Sequence, residues 1–264
     1  MMSRKNNEKK EKPTVPTVIE DGLPTDATAK APLSQVSPQK ESDNVKHFKG
    51  PEDVDPGGIK REKKFVCIMG HPRSGTGYMA ALFQAFGYDV AHEVKMGTDG
   101  ISSWLFGGCD NPRWGPDPWN YDFINRIHVV RNPIKVLSSV LACVEQGVQE
   151  IMAREAGVDI EIPAPRRVCE VYLRWHERIL CRKPNMTIKV EDAPEALTAW
   201  LHREPDPNKL PPTDFNNRKQ KLGGMDVPDF PWSFWQEEVK WHTLINLVEL
   251  ARNYGYHITN GEDK

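Results

Sequence analysis

From Phe65 onward the chain moves between two hydrophobic rhythms. Phe65-Val66-Cys67-Ile68-Met69 is a continuous apolar run ending at Gly70, the pattern of a strand covered on both faces in a parallel sheet. After a Gly/Pro-rich loop, Met79, Leu82, Phe83 and Phe86 recur at helical spacing, and Gly87 stands where a C-terminal cap belongs. Tyr88-Asp89-Val90-Ala91-His92 reads as a second strand and Ile127-His128-Val129-Val130 as a third. Between them, residues 97–125 are rich in Gly, Pro and Trp, and are expected to form a long irregular loop with one short helix near Ser102 to Phe106.

Asn132-Pro133 then opens a helix, with Asn as N-cap and Pro in the first turn; its apolar face reads as one element through Leu137, Val140, Leu141, Val144, Val148 and Ile151. A further helix from about Pro165 carries Val168, Val171, Tyr172, Trp175 and Ile179. Met186-Thr187-Ile188-Lys189-Val190 makes a fourth strand, and Asp192 and Glu195 bracket the start of a helix with Leu197, Trp200 and Leu201. Ser233-Phe234-Trp235-Gln236 has the form of a capping box and is expected to open one last helix through Val239, Ile245, Val248 and Ala251, closed by Gly255. Strands alternating with helices imply an α/β fold, a parallel β-sheet flanked by helices.

Residues 1–60 break this rhythm. They are rich in Lys, Glu, Pro, Ser, Thr and Asp and too poor in apolar residues to offset the entropy of ordering, which predicts a disordered N-terminal tail ahead of one domain, 61–264. With 264 residues, 38% of them hydrophobic, the chain has enough apolar material for that division. A formal charge of −2 without a clustered basic excess argues against a nucleic-acid partner. No run approaches the ~18 apolar residues of a membrane span, so no transmembrane segment is expected. Met1-Met2-Ser3-Arg4-Lys5 leads into Asn, Glu and Lys, not into the apolar core of a secretory signal. Cys67, Cys109, Cys143, Cys169 and Cys181 are odd in number and lack C-x-x-C spacing; they read as free thiols of a reducing, cytoplasmic compartment.

The chemistry concentrates in Gly70-His71-Pro72-Arg73-Ser74-Gly75-Thr76-Gly77, between a buried strand and a helix. Such a turn lets successive N–H groups point into one concavity, and the helix dipole adds about half a positive charge. The Gly70-to-Gly75 spacing is that of a nucleotide P-loop. The Lys-Ser/Thr that would serve β/γ-phosphates and Mg²⁺ is replaced by Thr76-Gly77, and the cation is Arg73 inside the loop. The third strand ends in Arg131, not in the Asp of a metal-binding strand, so no metal is expected. Ser139, eight residues further, is two helical turns along; a guanidinium and a hydroxyl so placed suit a dianionic phosphate.

These residues resemble the sulfotransferase family that uses PAPS, 3′-phosphoadenosine 5′-phosphosulfate. Pro72-Arg73-Ser74-Gly75-Thr76 is similar to its 5′-phosphosulfate loop, and Arg131 with Ser139 to its 3′-phosphate motif. Lys189-Val190-Glu191-Asp192-Ala193-Pro194 is similar to a strand-to-helix segment of the family, and Leu250-Ala251-Arg252-Asn253-Tyr254-Gly255-Tyr256 to its C-terminal helix ending. The likeness spans roughly residues 65–257, with Asn217-Arg218-Lys219 a loose counterpart of the family's R-K-G segment. It implies a P-loop NTPase-like sulfotransferase fold and PAPS as co-substrate. Pro72, Arg73, Ser74, Gly75, Thr76, Gly77, Arg131, Ser139 and Arg218 are then the nucleotide-binding residues, and the acceptor is a hydroxyl on a glycan, small molecule or lipid.

The expected division of labour follows. Loop amides with Ser74 and Thr76 hold the 5′-phosphate, and Arg73 meets charge on the bridging oxygen. The two arginines form separate anion pockets that grip the two ends of one carrier. A base comes from His92-Glu93, about twenty residues after the loop arginine, where the resemblance implies a catalytic Glu. Neighbouring strand residues point opposite ways, so only one of the pair is expected to face the site; Glu93 is preferred and His92 is the alternative. The stretch from Lys95 to Trp119 is expected to form the acceptor wall, with polar contacts from Asp99, Ser102 and Ser103; Trp104, Trp114 and Trp119 either stack on the acceptor or, as such tryptophans more often do, form the loop's own core. A P-loop kinase or hydrolase and a catalytically silent PAP-binding module stand as alternatives.

Overall fold

The apolar run of the first strand is explained by its place in the sheet. The computed structural model describes residues 61–109, 115–212 and 229–258, all within one unit of the chain, Phe48–Lys264; the segment read as a tail lies outside them. The strands are β1 (Glu62–Gly70), β2 (Val90–His92), β3 (Gly100–Ser102), β4 (Tyr121–Val130) and β5 (Met186–Lys189). They form a parallel sheet in the order β2-β3-β1-β4-β5, with β1 at its centre. The helices are α1 (Thr76–Ala85), α2 (Leu105–Gly108), α3 (Pro133–Cys143), α4 (Gln146–Ala156), α5 (Ala164–Cys181), α6 (Ala193–Leu201), α7 (Trp232–Glu238) and α8 (Trp241–Asn253).

Alternate residues of β1 serve opposite faces. Val66 and Ile68 pack with Met79, Leu82 and Phe83 of α1 and Leu197 of α6, whereas Cys67 and Met69 pack with Trp175 and Ile179 of α5. A third cluster joins α3, α7 and α8 to α5 through Val136, Val140, Tyr172, Trp235 and Leu247. Each large side chain buried in this way contributes roughly 1.5–3 kcal/mol. Gly87 (φ 86) ends α1, with the Tyr88 amide donating to the Phe83 carbonyl; Gly255 (φ 72) ends α8, with the Tyr256 amide donating to the Ala251 carbonyl. The five cysteines form no disulfide; Cys67, Cys109 and Cys169 are buried. Among the described residues no helix is long and apolar enough to cross a membrane.

Four elements differ from the reading of the pattern. The stretch expected to be irregular contributes β3, wedged between β1 and β2, and the first half of β4. Parallel neighbours normally need a dozen or more linking residues, yet residues 93–99 suffice here because both strands have only three. The buried Lys64 ammonium holds this short return by donating to the Gly97 and Thr98 carbonyls, at 3.1 and 3.2 Å. The helix after Asn132 is two helices: Val144 is extended, and the Gln149 side-chain Nε2 donates to the Val140 and Val144 carbonyls at the break. The last helix is also two, broken at the extended Val239. Pro231, not Ser233, precedes α7, so the expected capping box is not made.

Candidate functional site

β1 delivers the chain to the sheet's carboxyl edge at Gly70, and α1 leaves from Thr76. The five residues between them bend through two left-handed positions, Arg73 (φ 74) and Gly75 (φ 102). Gly75 is required twice over, because a Cβ there would also lie 2.5 Å from Val190 Cγ2. Gly75→Ala is therefore expected to destabilise the fold by about 1–3 kcal/mol, measured by urea denaturation. Adding Val190→Ala should recover the part due to the clash and leave the part due to φ. Ser74 and Thr76 are buried, Pro72 is buried, and Arg73, Gly75 and Gly77 are half-buried. The Ser74 hydroxyl makes no hydrogen bond among the described residues.

α3 begins on the adjacent strand. Asn132 caps it, its Oδ1 accepting from the Ile134 and Lys135 amides, with Pro133 in the first turn. This cap presents Arg131 and, two turns later, the buried Ser139 to the glycine loop. Arg73 Nε donates to Ser139 Oγ at 3.0 Å, and Arg131 Nη1 donates to the Arg73 carbonyl oxygen at 3.4 Å. The two basic elements were expected to build separate pockets. They instead form one contiguous cluster on one side of the sheet, because β1 and β4 are direct neighbours.

From the end of β2, His92 reaches the glycine loop and Glu93 reaches His92. His92 Nε2 lies 3.2 Å from Thr76 Oγ1 and 3.4 Å from Glu93 Oε1. Strand alternation had predicted that only one of the two would face the site. The backbone turns left-handed at Glu93 (φ 58), just past the strand, and the Glu93 carboxylate comes within 3.4 Å of the His92 ring. A carboxylate so placed can orient an imidazole and stabilise its protonated form.

The acceptor wall is where the expectation fails. Asp99 lies at the amino end of β3, its carbonyl accepting from the Phe65 and Val66 amides and its carboxylate from the Asp89 amide. At ~3.3 Å per strand residue that is roughly 15 Å below Gly70, so Asp99 belongs to the β2–β3 return. Ser102 is at the right edge but fully buried, donating to the Thr76 carbonyl at 2.7 Å and so anchoring the first turn of α1. Ser103 is buried and its hydroxyl accepts from the Leu105 amide. Trp104, 7% exposed, packs on Trp175 at 5.7 Å between ring centroids and is core, not a stacking platform. Trp119 lies under the Arg182 guanidinium at 5.3 Å. Arg218 and Trp114 lie outside the described residues.

Beneath the loop is a group that the pattern did not single out. His71, His128 and His176 are fully buried, with His128–His176 centroids 4.9 Å apart and His71–His176 6.4 Å. Tyr172 and Tyr254 close the group at 4.3 and 5.4 Å from His176. Each histidine follows from the periodicity once the faces are known: His128 alternates with Ile127 and Val129, and His176 is one turn after Tyr172. Only the packing of β4, α5 and the loop puts them together. Among the described residues no group of His, Cys, Asp and Glu is arranged to hold a metal ion. The chain matches no family model, no curated protein and no solved structure.

Proposed function

We propose that this chain is a P-loop sulfotransferase that moves a sulfuryl group from PAPS to the hydroxyl of an acceptor. One observation carries the reading: the two motifs most specific in the sequence, Pro72–Thr76 and Arg131 with Ser139, meet through the Arg73–Ser139 hydrogen bond at the carboxyl edge of a parallel sheet. Ligands of open α/β sheets bind at that edge. The cluster suits an anion with more than one charged group, since it combines a helix N-terminus, two guanidinium groups and a buried hydroxyl, Ser74 Oγ, that makes no hydrogen bond among the described residues.

PAPS supplies an activated sulfuryl group whose departure leaves a phosphate. The amides opening α1, with Ser74 and Thr76, hold the 5′-phosphate, and Arg131 and Ser139, joined to Arg73 in the same contiguous cluster, hold the 3′-phosphate. Arg73 offers a permanent positive charge to the leaving oxygen, and a preorganised charge of this kind acts without reorganisation at the moment of reaction. His92 and Glu93 act together as the proton acceptor for the hydroxyl, the carboxylate steadying the ring.

A thermal-shift panel of PAP, PAPS, ATP and GTP, each with and without EDTA, tests the reading. At a hundred times Kd, PAP should add ~2.7 kcal/mol, a rise of roughly 5–10 °C for a domain of this size. The shift should survive the chelator and be nearly absent with GTP. A shift with ATP or GTP that EDTA abolishes would instead identify a metal-dependent kinase or hydrolase. A PAP shift without transfer to any acceptor would identify a silent nucleotide-binding module.

A further inference from the structure

The second residue of the loop has no part in that mechanism, yet it is fully buried directly after β1. His71 Nδ1 lies 2.8 Å from the Pro72 carbonyl oxygen. A carbonyl oxygen only accepts, so this is a hydrogen bond in the tautomer that carries its proton on Nδ1. The next residue is Arg73, left-handed at φ 74, a conformation that costs a residue with a Cβ about 1–2 kcal/mol and persists only where its surroundings enforce it.

Three successive carbonyls of the loop are each taken by a donor. The His71 carbonyl accepts from the Ser74 amide at 3.0 Å, the Pro72 carbonyl from His71 Nδ1, and the Arg73 carbonyl from Arg131 Nη1 at 3.4 Å. A carbonyl dipole turned toward a bound phosphate repels it, while amides turned toward it attract it. Tying down all three carbonyls, one of them with the Ser74 amide, leaves the amides after Ser74 for the anion. The ring of His71 is itself fixed by Tyr172 at 5.0 Å, Trp175 at 6.1 Å and His176 at 6.4 Å, all on α5. Behind His176 stand His128 of β4 and Tyr254 after α8.

We propose that His71, with its proton on Nδ1, is the positioning residue of the phosphate loop, holding the Pro72 carbonyl away from the anion and bracing the left-handed turn at Arg73. The inference rests on the reading of the loop as an anion site. Burial keeps the ring neutral by lowering its pKa to about 4.

Two variants of the full chain test it. His71→Phe keeps an aromatic ring but has no donor, and His71→Asn restores an N–H near the place of Nδ1. In the ligand-free protein, amide hydrogen exchange at residues 73–77 should be at least tenfold faster in His71→Phe, with α6 and β4 unchanged, and within threefold of the parent in His71→Asn. PAP affinity by calorimetry should weaken at least tenfold in His71→Phe and recover in His71→Asn. Parent-like exchange in His71→Phe overturns the proposal. A parent that binds no PAP defeats the functional reading, and the exchange comparison still decides the role of His71. Should His71→Phe not fold, long-range ¹H–¹⁵N spectra of the parent decide, because a proton found on Nε2 overturns it.

Discussion

Taking the pH from 7.5 to 5.5 is expected to remove about 4 kcal/mol of folding stability, against the 5–15 kcal/mol that a domain usually has. Burial lowers the pKa of His71 to about 4 and of His128 to about 3. It also pushes His176 well below the ordinary histidine value, with His128 and His71 beside it adding to the effect. The folded chain therefore keeps three neutral imidazoles where the unfolded chain protonates them below about pH 6.5. The unfolded state then binds more protons, so stability is full above that value and falls as the pH drops through it. The fall continues until the folded rings themselves protonate, near pH 4 for His71 and near pH 3 for His128. Each ring contributes about 1.4 kcal/mol per pH unit in that window. Urea denaturation at the two pH values gives the number. His128→Phe, a similar volume with nothing to titrate, should lose about a third less between them. Equal losses in parent and variant would show that His128 is not held neutral.

On the proposed function, removing the guanidinium of Arg73 is expected to lower sulfuryl transfer at least a hundredfold, since losing one preorganised charge-stabilising group commonly raises a barrier by ~3–4 kcal/mol. The rate is read as PAP release from PAPS, with phenol, sugar and lipid hydroxyls as acceptors. Two variants separate chemistry from folding. Arg73→Ala keeps a Cβ in the left-handed conformation; Arg73→Gly relieves it, which offsets the lost hydrogen bond to Ser139. Arg73→Gly should thus stay within about 1 kcal/mol of the parent in stability while losing as much activity as Arg73→Ala. Transfer at the parent's rate in either variant removes Arg73 from the reacting centre.

The placement of His92 and Glu93 illustrates how far local pattern carries. Their position past a strand at the carboxyl edge was legible, since Val90 and Ala91 lead into them. That the Glu93 carboxylate meets the His92 ring, which itself lies against Thr76, was not, because strand alternation ends where the backbone goes left-handed, and nothing in Glu93 as a residue type announces φ 58. Asp99 shows the converse. An acidic residue in a Gly-rich stretch reads as a contact for substrate, but its carboxylate and carbonyl are both consumed in bracing a short return beside Lys64. Trp104 likewise depended on what lay beneath it, and what lay beneath was Trp175.

By itself the chain determined the parallel α/β architecture and the loop Gly70–Gly77, because both rest on local causes: apolar runs with a fixed period, a cap at Asn132, and glycines at turns that admit no side chain. Tertiary structure alone decided that β3 inserts beside β1, that Arg73, Arg131 and Ser139 share one cluster, and that three histidines from a loop, a strand and a helix are buried together. Those outcomes depend on which strands are neighbours, and neighbour order is set by packing between segments far apart in the chain, which no local periodicity encodes.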